Sequence, residues 1–320
     1  MTDSIGILAP NWLGDVIMAQ PAMRAITQHF PEQQIVLSGQ PWLKDLIPFL
    51  NLEQASYETN TSKHKQVFLF RNSLHAAWQA FRSGSQERHG FKHDGRSLLL
   101  THAYTPQLDM KVEHHRDYFL DLVKQAGISV QETQVQLHAH SDDIQAGYAL
   151  LKEKHIDPER AICIAPGAQF GGAKRYPAQA YAYILKWLSD AGWQIVILGT
   201  PEERDIGNQC LQKVTGKSWN ASGETTLQQA LQLIASSKLT LCNDSGLMHV
   251  SAGLSQPTVG IFGATNPSRT APSGKHISLL YKPAPCSPCL KRECHIAGQP
   301  CMGNILPEMV RDACLELLQV

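Results

Sequence analysis

What most constrains this chain is a rhythm. Short apolar runs at residues 5–9, 35–38, 67–70, 161–165, 194–198, 239–242 and 258–262 each end in a loop, and helix-like periodicity separates most of them. A run of four or five apolar residues without alternation predicts a strand covered on both faces, because a half-exposed strand would alternate. Strand, loop, helix, strand makes βαβ units, and these give parallel sheets with helices on both sides. The intervening stripes agree. Residues 16–29 carry Ile17, Ala22, Ala25 and Ile26, and later segments carry Tyr181, Ile184, Leu185 and Leu188, then Leu227, Ala230, Leu231 and Ile234. Spacing of this kind faces a core and holds no chemistry. A helix is also expected over 116–125 and an amphipathic turn or helix over 42–50. From 71 to 104 the pattern loosens into mixed cations and aromatics, which predicts an irregular segment.

A chain of 320 residues exceeds one ordinary core. The expected division is a first α/β domain over 1–150, a second over 151–306, and a closing helix over 307–320 that packs back across the domains. With Lys+Arg and Asp+Glu equal at 28 each, no global field recruits nucleic acid, so an anion must be held locally. The amino terminus lacks the basic start of a signal peptide, and no run approaches the roughly 20 apolar residues that span a bilayer. A cytoplasmic protein is expected.

In sheets of this kind ligands sit outside the carboxyl ends of the strands, and the loops there carry the unusual residues. Gly14-Asp15 follows the first strand, 167–175 with Lys174 and Arg175 follows 161–165, Glu202 and Glu203 follow 194–198, and Asp244-Ser245-Gly246 follows 239–242. The last of these opens straight into a helix bearing His249. Free amides and the positive end of the helix dipole then meet at one turn, which suits a phosphate. Glycines beside Lys174 and Arg175 permit close backbone approach, and the two cations can neutralise a diphosphate. Glu202 and Glu203 stand where a ribose-binding carboxylate stands in nucleotide folds. Each feature also has a plainer reading, as a helix cap, a solvated loop or a dipole-favoured acid. The chain has neither a Walker A loop nor G-x-G-x-x-G at its first glycines, which demotes kinases and dehydrogenases.

Together the segments 10–20 (PNWLGDVIMAQ), 166–177 (PGAQFGGAKRYP) and 243–250 (NDSGLMHV) resemble the ADP-heptose:lipopolysaccharide heptosyltransferases of glycosyltransferase family nine. The likeness runs over nearly the whole chain in order and spacing. It implies a GT-B fold, with two Rossmann-like parallel-sheet domains facing across a cleft, the acceptor on the first and the nucleotide sugar on the second. It implies inverting transfer of L-glycero-D-manno-heptose from ADP-heptose to the heptosyl-Kdo2-lipid A inner core of lipopolysaccharide. Asp15 matches the family's base, Lys174 its diphosphate lysine, and Asp244, Ser245, Gly246 and His249 its donor turn. One of Glu202 and Glu203 matches the nucleoside contact. Arg71, Arg88 and Lys92 are candidates for the acceptor's phosphates and sugars, although a solvated surface has the same composition. No Asp-x-Asp pair stands at a strand end, so catalysis is expected to need no cofactor. Contact with the inner membrane is expected to be peripheral at most, with Trp42-Leu43 beside Lys44 a candidate for it. Two other readings stay open: a family-nine enzyme with another acceptor, such as a protein or a different core position, and a silent nucleotide-sugar-binding protein.

Cysteines add one feature. Cys286, Cys289, Cys294 and Cys301 crowd the loop 283–301 between prolines. A C-x-x-C pair with two further thiols in a cytoplasmic protein favours a tetrahedral thiolate site, structural zinc first and mononuclear iron second. His295 could replace one ligand, and a disulfide pair or free thiols are the alternatives.

Overall fold

A computed structural model of the protein describes residues 4–109 and 111–319, so the expected limits at residues 1 and 320 lie outside it. The chain divides into two compact units, Met1–His138 and Ala139–Val320. The boundary falls before residue 150, where the sequence suggested it, because the helix at 141–153 belongs to the second unit. Gly147 on that helix approaches the helix at 227–235 so closely that an added Cβ would lie 2.1 Å from Ser236 Oγ and 2.4 Å from the Gln232 carbonyl oxygen. Gln232 Nε2 donates to Asp143 Oδ1 at 3.0 Å, and Ser236 Oγ donates to the Ile144 carbonyl at 3.0 Å.

The first unit runs β1 (Ile5–Leu8), α1 (Leu13–His29), β2 (Ile35–Ser38), α2 (Leu43–Leu46), β3 (Ala55–Glu58), β4 (Gln66–Leu69), α3 (Leu74–Arg82), β5 (Glu87–Phe91), β6 (His102–Tyr104) and α4 (His115–Gln125). Its parallel sheet has the order β3-β2-β1-β4-β5-β6. The order reverses between β1 and β4. The segment that read as irregular is therefore a helix and two strands. Polar sequences hide β5 and β6. A buried cation helps hold them: Arg96, fully buried, donates to the Phe91 carbonyl at 2.8 Å, the Arg71 carbonyl at 2.5 Å and Asn72 Oδ1 at 2.7 Å. Across β4, β5 and β6 the rings of Phe68, His89 and His102 stack in register.

The second unit runs α5 (Ser141–Glu153), β7 (Ala161–Ala165), α6 (Ala178–Asp190), β8 (Gln194–Ile197), α7 (Arg204–Leu211), β9 (Ser218–Asn220), α8 (Leu227–Ala235), β10 (Thr240–Asn243), α9 (Gly246–Gly253), β11 (Thr258–Phe262), α10 (Pro267–Thr270), β12 (Ile277–Tyr281), α11 (Pro300–Gly303) and α12 (Pro307–Leu318). Its parallel sheet has the order β12-β11-β10-β7-β8-β9, reversing between β7 and β10. The stripes Tyr181, Ile184, Leu185, Leu188 and Val310, Cys314 share one buried cluster with β7, β8, β10 and β11. The closing helix α12, expected to return across the domains, packs on α6, β11 and β12 of its own unit, because its buried residues Val310, Ala313 and Cys314 belong to that cluster. Among the described residues no helix is long and apolar enough to cross a membrane.

The ring stack carries a titration. Burial first, and the neighbouring His102 second, push the His89 imidazole down to about 4, while Glu87 pulls the other way. A histidine depressed when folded binds its proton more readily when unfolded. Stability contributed here is present above the ordinary histidine range and is lost as pH falls from about 6.5 toward 4. His89→Phe should flatten urea-unfolding stability over that window relative to the parent. An unchanged pH slope rejects the assignment.

Candidate active site

In the second unit the chemistry collects where the strand order reverses, at the carboxyl ends of β7 and β10. Asn243 closes β10 with a buried amide: its Oδ1 accepts from the Tyr176 N–H at 3.2 Å and the Tyr181 hydroxyl at 3.0 Å, and its Nδ2 donates to the Pro166 carbonyl at 2.6 Å. Both ends of the loop 166–176 are thereby fixed to β10. The next residue, Asp244, is 5% exposed and takes two donors on Oδ2, Lys174 Nζ at 2.7 Å and Thr265 Oγ1 at 2.5 Å. Lys174 also lies 5.1 Å from the Phe170 ring centre, and Arg292 covers the same ring at 5.3 Å. Arg175 Nη2 donates to the Ala168 carbonyl at 3.4 Å in the same loop.

Ser245 caps α9 with an extended backbone and no side-chain capping bond. Its Oγ is buried with no hydrogen-bond partner, and so is Arg175 Nε. Buried polar atoms are nearly always satisfied, so these two orphans leave polar groups open to a partner from outside the protein. His249 is buried one turn into α9.

The two glutamates separate. Glu203 is buried, and its Oε2 accepts the Thr200 N–H at 3.0 Å in a capping box. Its carboxylate lies so close to Gly167 that an added Cβ there would be 2.1 Å from the carboxyl carbon. Glu202 is exposed, and hydrogen bonds from its own backbone N–H and from Thr200 hold its carboxyl below the usual range. Glu203 is committed to the loop, while Glu202 faces solvent as an acceptor.

The cysteine loop grips the same glycines. An added Cβ at Gly171, whose φ is +152°, would stand 2.2 Å from the Arg292 carbonyl oxygen. Arg292 O accepts from Ala173 N–H at 2.9 Å, Glu293 Oε1 accepts from Gly172 N–H at 3.1 Å, and Gln299 Nε2 donates to Ala173 O at 2.7 Å. All four cysteines are reduced, with Cys301 buried and Cys286 exposed. Burial, then the nearby Cys286, Cys294 and Cys289, raise the Cys301 thiol. No three of these sulfurs lie within 4.8 Å of one another. Among the described residues only Glu87, His89 and His102 meet that spacing. The His89 and His102 rings are stacked 9° from parallel, so their lone pairs run side by side rather than converging on an ion.

In the first unit, too, the strand order reverses beside the candidate residues. Asp15 stands in the first turn of α1, just beyond β1, with its side chain about one-third exposed and His115 Nε2 of α4 3.9 Å from Oδ1. Stacking on Tyr118 and an edge contact with Phe119 fix that imidazole. Arg71, beyond β4, donates from Nε to the Ala9 carbonyl at 3.1 Å, and burial lowers its pKa. Lys92 is exposed just past β5. Arg88 differs, because it lies at the amino end of β5 and spends its guanidinium on the Leu99 and Ser85 carbonyls at 2.7 and 2.5 Å.

Sequence reasoning missed His115, Arg292, Glu293 and Gln299. Asn243 was inside a quoted motif, but its type alone does not reveal three buried partners. Asn243→Leu should leave the Pro166 carbonyl, the Tyr176 N–H and the Tyr181 hydroxyl unpaired, each at about 1–3 kcal/mol. Urea unfolding measures the loss, and a parental midpoint would reject the anchoring role.

Comparison with known proteins places this geometry. The family described as glycosyltransferase family 9 (heptosyltransferase) matches residues 60–299. Lipooligosaccharide heptosyltransferase 2 of Campylobacter jejuni is 29% identical, covering 98% of this chain and 98% of its own. Lipopolysaccharide heptosyltransferase 2 of Escherichia coli K12 is 27% identical over 83% of this chain and 84% of its own. The solved structure of the E. coli ADP-heptose LPS heptosyltransferase II superposes with a TM-score of 0.82 at 25% identity, covering 99% of this chain and 98% of that one. Since the matched segment contains the loops fixed by Asn243, Asp244 and Arg292, and is most of the chain, the protein belongs to glycosyltransferase family 9.

Proposed function

We propose that the protein transfers L-glycero-D-manno-heptose from ADP-heptose to the heptosyl-Kdo2-lipid A inner core of lipopolysaccharide, with inversion. The observation that carries this reading is the anion cradle of Lys174, Arg175, Ser245 and the α9 amides in a chain similar along almost its whole length to enzymes named for heptose transfer. In the reaction an acceptor hydroxyl oxygen forms a bond to the anomeric carbon as the bond from that carbon to the diphosphate oxygen breaks. The hydroxyl proton passes to the Asp15 carboxylate. The charge that develops on the departing ADP falls on the cations and amides of the second unit. An ordinary aspartate, with a pKa of about 3.9, is a weak base toward an alcohol, so the proton moves late, as the sugar acquires oxocarbenium character. His115 is suited to orient that carboxylate, Arg71 and Lys92 to meet acceptor phosphates, and Glu202 to meet the ribose. His249 supports the donor turn from within α9. Arg88 contributes by bracing β5 rather than by touching sugar. The step as written needs no resident cofactor.

Asp15→Asn should leave ADP-heptose binding near the parental level while lowering kcat by about 10²- to 10⁴-fold. An Asn variant with parental turnover rejects the role. In a deletion strain, mass spectrometry should find lipopolysaccharide truncated after the first heptose, and an unaltered core rejects the substrate.

For the cysteine loop we propose a thiolate-held zinc or iron on Cys286, Cys289, Cys294 and Cys301. Its support is the crowding of four free thiols, one pair in a C-x-x-C spacing, into residues 286–301, and binding requires the loop to tighten from the spacing described above. The ion would brace the loop that grips Gly171–Ala173. Metal analysis of untagged protein should give one equivalent, lost in Cys289→Ser. Metal-free protein with parental stability rejects the site.

A further inference from the structure

Helix α3 is built inside out. Its buried face is Ala76, Ala77 and Ala80, packed on Leu8, Val67, Leu69 and Leu100, whereas its large apolar residues point outward. Leu74, Trp78 and Phe81 fall at i, i+4 and i+7, one stripe of the helix, and are 51%, 47% and 46% exposed. The Trp78 and Phe81 rings lie against each other, with centres 5.9 Å apart. Beside them the turn at Arg96–Leu99, which packs on α3, presents Leu98 at 94% exposure. A lone exposed leucine needs no explanation. A contiguous stripe of Trp, Phe and Leu on a helix whose inner face is alanine does.

The surrounding charge indicates the occupant. Residues 59–86 contain Lys63, Lys65, Arg71 and Arg82 and no Asp or Glu, within a chain whose formal charge is zero. Arg82 and His75 are exposed on the flank of the stripe, Lys63 runs beside Gly84 at the end of the helix, and the Arg88 guanidinium lies 5.5 Å from the Phe81 ring centre. Aromatic and aliphatic side chains rimmed by cations match the interface of an anionic bilayer, where rings enter the headgroup layer and cations meet phosphates. The pair expected from sequence does not serve, because Leu43 is fully buried in the core.

We propose that α3 and the Leu98 turn form the face by which the first unit rests on an anionic phospholipid surface. The inference rests on the reading of the acceptor as a lipid, since such an acceptor presents its sugars at a membrane. Membrane docking would then bring the substrate to the protein in two dimensions rather than three.

The test is flotation of the full chain with phosphatidylethanolamine–phosphatidylglycerol vesicles, against vesicles of phosphatidylcholine alone. The parent should float with the anionic vesicles and fall away at high salt. Trp78→Ser with Phe81→Ser should lower the partition about tenfold or more, the effect of losing roughly 1.4 kcal/mol of apolar insertion. Leu98→Ser, on a separate element, should lower it as well. Being exposed, these substitutions should keep the parental thermal midpoint and the parental rate on a deacylated, water-soluble acceptor, while slowing transfer to acceptor embedded in vesicles. Unchanged flotation in both variants overturns the proposal. So does a parent that self-associates in sedimentation while the variants are monomeric and still float, because the stripe would then join two copies. Flotation with no heptose transfer to either acceptor would reject the enzymatic reading and leave the docking face standing.

Discussion

A buried amide at the end of one strand organises the candidate site of the second unit. Asn243 has no charge and makes no contact a ligand would need, yet it pins both ends of the loop 166–176 to β10. With the loop pinned, Lys174 reaches Asp244, the neighbour of Asn243, and the pair is shielded from water. A shielded ion pair adds little net stability, but removing one partner leaves a buried charge and costs about 3–5 kcal/mol. The pair therefore fixes position more than it adds strength. Lys174 is held against Asp244, the residue before Ser245, whose buried hydroxyl nothing within the protein satisfies.

The first unit reaches a comparable arrangement with a buried cation. Arg96 collects the carbonyls of Phe91 and Arg71 and the side chain of Asn72, joining the carboxyl ends of β4 and β5. Asn72 in turn meets the Tyr118 hydroxyl, and Tyr118 stacks on the His115 that lies near Asp15. A chain of packed polar and aromatic groups thus runs from the sheet to the proposed base. Its rigidity matters for general base catalysis, where misplacement by an ångström is costly.

Much of the architecture was legible because parallel strands covered on both faces must be apolar throughout. The runs at β1, β2, β4, β7, β8, β10 and β11 have that composition, and the structure has strands at all of them. The edge strands β3, β6, β9 and β12 and the interior strand β5 did not announce themselves. Residues of the edge strands are only partly covered, and β5, with the sequence ERHGF, is stabilised by ring stacking and by Arg96 rather than by aliphatic burial. The same asymmetry holds at the site. Lys174, Asp244, Ser245 and Gly246 were readable because a turn between strand and helix has a recognisable composition. Arg292, Glu293 and Gln299 were not, since they reach the same loop from more than a hundred residues away, Arg292 through its carbonyl and Glu293 and Gln299 through side chains that pair with backbone groups there.

The approach of Gly171 to the Arg292 carbonyl has a consequence for how such a chain can drift. Two backbones that touch without room for a methyl group cannot change length independently. Insertions should be resisted between Arg292 and Gln299. The cysteine loop is thus clamped where it meets the glycines, and substitutions in the glycine loop and in that segment should be inherited together.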